Sequence, residues 1–279
     1  LALPGDEFLT FAPYFPEYKI YVESAGAALS VIPADTANFQ IDLEKFAQAI
    51  NEKTKAVIIN SPNNPSGVVY SLETVRKMCL IMEERSIELG RPIYLISDEP
   101  YRELVYGDAE VPFLLNYYDN TFVCYSYSKS LSLPGERIGY VLVSNRMKDG
   151  EDIYAAVCGA GRALGYVCAP SLFQHLIARC VGRTADISIY KRNRDILYSG
   201  LKRMGYECAR PDGAFYLFVR ALEPDAVAFC EKAKKHELLL VPGDGFGCPG
   251  YVRISYCVRT DQIEASLPAF EKLAAEYKK

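Results

Sequence analysis

One lysine stands among hydroxyl residues in Ser126-Tyr127-Ser128-Lys129, and Arg137 follows eight positions later, past Pro134-Gly135. A lone lysine is ordinarily a solvated surface charge. Beside an anion site, its amine is a nucleophile toward carbonyl carbon. Serine hydroxyls with an arginine fork are suited to holding a phosphate. Three further groups bear on this. Asn64 lies in Asn63-Asn64-Pro65-Ser66-Gly67, and Asp98 and Tyr101 lie in Ser97-Asp98-Glu99-Pro100-Tyr101. Each alone has an ordinary explanation. Asn-Pro-Ser-Gly makes a turn in any protein, Asp98 suits a helix cap, and Tyr101 suits a core.

Their placement on predicted elements shifts that balance. The first two-thirds of the chain alternate. "EFLTFAP" and "ALSVIPA" read as strands, with a short helix in "YFPEYKIYVESAG" between them, stopped by Gly26. "DLEKFAQAINEK" reads as a helix with an Asp start, and "KAVIINSP" as a buried strand. "SLETVRKMCLIMEERSIELG" opens on Ser71, carries a helical apolar stripe and stops at Gly90. "PIYLISDEPY", "TFVCYSYS" and "IGYVLVS" are apolar runs of strand length. Helices alternating with nearly continuous apolar strands predict a mainly parallel sheet covered on both faces. Ligands of such sheets bind outside the carboxyl ends of the strands. Asn64, Asp98, Tyr101 and Lys129 each follow one of those ends. A lysine, a carboxylate, a phenol, an amide and a Ser/Arg anion site together suit pyridoxal 5'-phosphate.

From about Pro170 the texture changes. "PSLFQHLIARCVG" and "DISIYKRNRDILYSGLKRMG" read as helices. They are followed by the strand "AFYLFVRA", a helix around "DAVAFCEKAKK", the strand pair "LLLVPG" and "YVRISYCV", and a last helix. The predicted fold class is α/β, a three-layer sandwich with a mainly parallel sheet, plus a smaller α+β C-terminal domain. The expected division is 1–188 and 189–279.

Composition sets outer bounds. The chain has 279 residues, half of them hydrophobic, enough for one large domain and a smaller one. A net charge of −4 without a basic block gives no electrostatic case for nucleic acid or an anionic membrane. No apolar run approaches membrane-spanning length, and the start has no signal-peptide anatomy. Nine scattered cysteines without a CxxC pair, and only two histidines, offer no zinc spacing; no metal site is expected. Reduced thiols and a cytoplasmic location are expected. Gly245-Phe-Gly247-Cys-Pro-Gly250 fits G-x-G-x-x-G, but it lies between two predicted strands and opens no helix, so a dinucleotide site is rejected.

Several spaced motifs together resemble one family. Ser126-Tyr127-Ser128-Lys129 with Gly135-Glu136-Arg137-Ile138-Gly139, then "NNPSG", "SDEPY", "PDGAFYLF", "VPGDGFG" and "YVRIS", are similar to the class I/II pyridoxal-phosphate-dependent aminotransferases of fold type I. This aspartate aminotransferase-like resemblance runs from Pro4 to near the end. It implies an enzyme exchanging an amino group between an amino acid and a 2-oxo acid. By position, Lys129 is then the Schiff-base lysine and general acid/base, and Asp98 the partner of the pyridine nitrogen. Tyr101 and Asn64 contact the ring hydroxyl, with Asn64 also near the substrate. Ser126 and Arg137 hold the phosphate, with Ser128 as an additional candidate. Phe15 stacks on the ring, and Arg253 clamps the substrate α-carboxylate.

The resemblance also implies a homodimer. The family's glycine-rich turn and N-terminal arm have no counterpart from residue 1 onward. The expectation is a chain lacking its N-terminal portion, which alone binds cofactor poorly. Two other readings keep parts of this picture: a C–S β-lyase using the same pocket, and an aminotransferase-like sensor domain of a transcription regulator. Arg162, in "GAGRALGY", is a candidate for a second substrate carboxylate or an ordinary surface charge.

Overall fold

Strands buried on both faces need apolar side chains on both, and the centre of the chain supplies four such runs. The computed structural model describes residues 1–278. Its larger sheet contains β1 (Glu7–Phe11), β2 (Ala28–Ile32), β3 (Thr54–Asn60), β4 (Tyr94–Asp98), β5 (Thr121–Ser126) and β6 (Gly139–Val143), in the order β2-β1-β3-β4-β5-β6. All neighbours are parallel except β5 and β6. A smaller antiparallel sheet joins β7 (Tyr216–Arg220), β9 (Tyr251–Ser255) and β8 (Val241–Pro242), in that order.

The helices are α1 (Glu17–Ser24), α2 (Leu43–Ala49), α3 (Leu72–Glu88), α4 (Tyr127–Ser130), α5 (Gly150–Ala163), α6 (Ser171–Ala178), α7 (Ser188–Met204), α8 (Ala226–Lys234) and α9 (Thr260–Ala275). Alternation along the strands sorts the larger core into two layers. Leu9, Phe11, Val57, Ile59 and Leu95 pack with Phe46 of α2 and Met78 and Met82 of α3. Phe8, Ala56, Ile58 and Phe122 pack on the other face with Tyr18 and Val22 of α1 and Ile153 of α5. The smaller sheet packs on α7, α8 and α9 through Leu197, Leu201, Phe229, Phe270 and Leu273.

Local chemistry sets the element ends. Asp42 Oδ1 accepts from Lys45 N at 3.0 Å, and Ser71 Oγ from Thr74 N at 3.0 Å, capping α2 and α3. α2 stops at Ala49, short of the predicted run. There Asn51 Oδ1 accepts from Lys53 N at 2.8 Å and Asn51 N donates to Thr54 Oγ1 at 2.9 Å, turning the chain into β3. α5 was not expected from the sequence, and Ile153 is its one buried residue. The predicted strand "LLLVPG" pairs only over Val241–Pro242, with Leu239 83% exposed.

The two sheets meet where the turn after β3 touches the segment before β7. Asp212 and Gly213 both donate backbone bonds to Gly67 O at 2.9 Å. Gly67 has φ +72°, and a Cβ there would lie 2.6 Å from Pro211 Cβ and 2.7 Å from Tyr216 O. Only glycine permits so close an approach in that conformation.

Candidate active site

The carboxyl ends of β3, β4 and β5 open onto a cavity of about 600 Å3. Phe15, Asn64, Asp98, Tyr101, Ser126, Lys129, Arg137 and Arg253 all line it. Residues spread over 239 positions of the chain, from Phe15 to Arg253 (253 − 15 + 1 = 239), are thus brought to one place. Ser128 does not line the cavity. Its Oγ accepts from Ser126 Oγ at 2.7 Å, and its N–H donates to Ser126 Oγ at 3.2 Å, so it fixes the Ser126 hydroxyl. Arg162 lies exposed near the end of α5 and does not line this cavity.

Asp98 ends β4 with its side chain at the cavity base. Part of the residue faces the cavity, yet its carboxyl is desolvated, and burial pushes it up to about 6. Glu99 adds to the rise, while a bond donated by Tyr18 Oη to Asp98 Oδ2 at 2.5 Å opposes it. The backbone below is held as well. Asn60 Nδ2 donates to Asp98 O at 2.8 Å, and Asn60 Oδ1 accepts from Asn64 N at 2.7 Å. One asparagine therefore ties the Asp98 strand end to the Asn64 turn. Tyr18 and Asn60 escaped the sequence reading. The signal for Tyr18 was its i,i+3 spacing from Phe15 at the start of α1, where the rings meet edge to face at 5.6 Å. Tyr18→Phe is expected to raise the Asp98 pKa by about one unit, through loss of a hydrogen bond to a charged group. Carboxyl-carbon NMR titration against Asp98→Asn checks it; an unmoved titration refutes the bond's effect.

Lys129 sits on the single turn α4, whose N-cap Ser126 accepts from the Ser128 N–H. Its Nζ lies 5.6 Å over the Phe215 ring. Arg137 adopts φ +51° and donates to Pro134 O at 3.0 Å, which folds the Pro-Gly loop so that the guanidinium reaches the cavity. Cys124 also lines the cavity, but burial pushes its thiol up to about 12, so it stays neutral and is no rival nucleophile.

Arg253 faces this group from β9. Its Nη1 donates to Asn64 Oδ1 at 3.0 Å, and its guanidinium lies 4.7 Å over the Tyr216 ring and 5.0 Å over Phe246. Its Nε is buried without a partner among the described residues. An unpaired buried donor is costly, and the residue that bears it lines the cavity.

The residues fit pyridoxal phosphate. A desolvated carboxyl held near neutral pH complements a protonated ring nitrogen, Phe15 offers a ring face, and Ser126 and Arg137 offer phosphate donors around a lysine amine. A mainly parallel sheet carrying that set on its strand ends defines a fold type I pyridoxal-phosphate enzyme. Comparison with known proteins narrows the class. Residues 1–270 match the model for aminotransferase class I and II. The chain is 32% identical over 274 residues to an aspartate aminotransferase from Thermotoga maritima, covering 96% of this chain and 69% of that one. A crystal structure of an amino transferase from Eubacterium rectale superposes with a TM-score of 0.98 at 63% identity, over 100% of this chain and 70% of that one. A solved Thermotoga maritima aspartate aminotransferase gives 0.88 at 32% identity, over 99% and 71%. The chain belongs to the aminotransferase class I and II family and is a pyridoxal-phosphate-dependent aminotransferase.

Proposed function

We propose that the cavity exchanges an amino group between an amino acid and a 2-oxo acid with the site residues in the following roles. The observation that carries the assignment is that Arg253, brought in from β9, lines one cavity with Lys129 and Asp98. Arg253 grips the α-carboxylate and so fixes the Cα–H of the amino acid relative to Lys129. Pyridoxal phosphate, once bound, supplies the aldehyde and the electron-withdrawing ring that the chemistry needs. Lys129 Nζ takes the Cα proton and returns it. Asp98 Oδ atoms keep the ring nitrogen protonated, Phe15 stacks on the ring, and Asn64 and Tyr101 orient its hydroxyl. Ser126 and Arg137 hold the phosphate, with the Ser126 hydroxyl set by Ser128.

Relatives named for aspartate support an acidic amino acid as the first donor to test. Family resemblance supports a homodimer, and nine free cysteines support a reducing, cytoplasmic setting. The start of α7 supports a division between residues 1–188 and 189–279.

Arg253→Lys tests the assignment, because lysine keeps the charge but loses the fork. KM for amino acid and oxo acid is expected to rise about tenfold or more while the visible cofactor spectrum stays unchanged. Unchanged KM values overturn the clamp. Release of ammonia and pyruvate from cysteine conjugates, faster than amino transfer, favours the lyase reading instead.

A further inference from the structure

Tyr216 stands at the junction of the two sheets and touches both halves of the site. It opens β7, and the register places Arg253 opposite Phe218, so that Arg253 lies diagonally across from Tyr216 on the neighbouring strand. The guanidinium sits over the Tyr216 ring at 4.7 Å. The Tyr216 hydroxyl lies 3.2 Å from the Tyr101 hydroxyl, with the two rings edge to face at 5.9 Å. Tyr216 is itself 8% exposed and lines the cavity. Its carbonyl is one of the atoms that forbid a side chain at Gly67, in the turn that also carries Asn64. One residue therefore contacts the arginine, the phenol and the turn.

We propose that Tyr216 is a positioning residue that couples carboxylate binding to cofactor binding, its ring seating Arg253 and its hydroxyl donating to Tyr101. The inference rests on the roles given above for Arg253 and Tyr101. The ring acts as a shelf: a cation over an aromatic face is held there, and the fork edge of Arg253 stays turned to the cavity. The hydroxyl acts separately. A phenol that accepts one hydrogen bond donates a stronger one, so a bond from Tyr216 frees and strengthens the Tyr101 proton for a group in the cavity.

Two substitutions split these effects. Binding of maleate and of hydrocinnamate to the pyridoxal-phosphate-loaded protein is measured by calorimetry; the two probes share only a carboxylate. Tyr216→Leu is expected to weaken both about tenfold, and Tyr216→Phe to change them less than about twofold. In Tyr216→Phe the pH midpoint of the visible absorbance change is expected to rise by about half a unit. A general packing defect predicts instead that Leu and Phe differ only in melting temperature. Equal carboxylate binding in wild type and Tyr216→Leu overturns the shelf, and an unmoved midpoint in Tyr216→Phe overturns the hydroxyl's part. Arg253→Lys, run alongside, separates the levels. If it binds both probes as wild type does, or if wild type binds neither, the Arg253 role falls and this inference with it. If Arg253→Lys loses binding while Tyr216→Leu keeps it, only the inference about Tyr216 fails.

Discussion

Lys129→Ala is expected to leave a folded protein that no longer transfers amino groups. Nothing in the fold depends on its ammonium: α4 is capped by Ser126, and Lys129 contributes a cavity-facing amine above Phe215. On the proposed roles, removing that amine removes both the covalent anchor for the cofactor aldehyde and the base that moves the Cα proton. General acid–base catalysis alone contributes up to about 10⁴-fold, so a rate loss of at least about 10⁴-fold is expected. Two measurements check it. Borohydride treatment fixes pyridoxal phosphate to the wild-type chain, visible as added mass on the peptide carrying Lys129; the variant gains no such mass. Added methylamine restores part of the proton transfer, because a free amine then occupies the emptied space. Turnover of the unaided variant at the wild-type rate removes Lys129 from the mechanism, whatever its position.

The groups that sit at strand ends were legible before any coordinates. Asn64, Asp98, Tyr101 and Lys129 each follow a nearly continuous apolar run of strand length, and parallel strands point their carboxyl ends the same way. That rule is geometric and needs no knowledge of the partner strand. Asn60 stands at the end of β3 itself, whereas Tyr18 and Tyr216 act through contacts that the rule does not reach. Tyr18 bonds a carboxylate 80 positions away, and Tyr216 a phenol 115 positions away. Only the docking of α1 onto the larger sheet, and of the smaller sheet onto the Gly67 turn, creates those pairs. α5 escaped for a different reason. Its stripe is short, with Ile153 and Val157 packing on the core, and Gly159 and Gly161 weaken the helical signal. The overlong expectation for "LLLVPG" is the converse case: Leu239 and Val241 are exposed although Leu238 is buried, and hydrophobicity alone does not make a ladder.

Asp98→Asn is expected to stabilise the cofactor-free protein while disabling the enzyme. The carboxyl is pushed up to about 6 by burial, from an ordinary 3.8. The folded state therefore holds this proton more tightly than the unfolded chain does. The stabilisation is complete below pH 3.8 and is lost as pH rises through 6. At pH 7 the folded protein carries a desolvated, ionised carboxylate whose cost reaches about 3 kcal/mol, from about two units at 1.36 kcal/mol each. Asparagine has the same shape and no charge to desolvate, and its amide oxygen still accepts from Tyr18. In urea titrations without cofactor, Asp98→Asn is expected to exceed wild type at pH 7 by up to about 3 kcal/mol and to match it below pH 4. Activity moves the other way. Neutral asparagine does not hold a proton on a ring nitrogen, and the loss of one preorganised charge at the reacting group costs on the order of a hundredfold or more in kcat. Buried charge without a cation beside it is a poor choice for stability, and its presence at the end of β4 supports the proposed pairing with a cationic ring nitrogen. Equal pH–stability profiles for the two proteins refute the strained carboxylate. Normal turnover by Asp98→Asn refutes its pairing with the cofactor, and the two outcomes are independent.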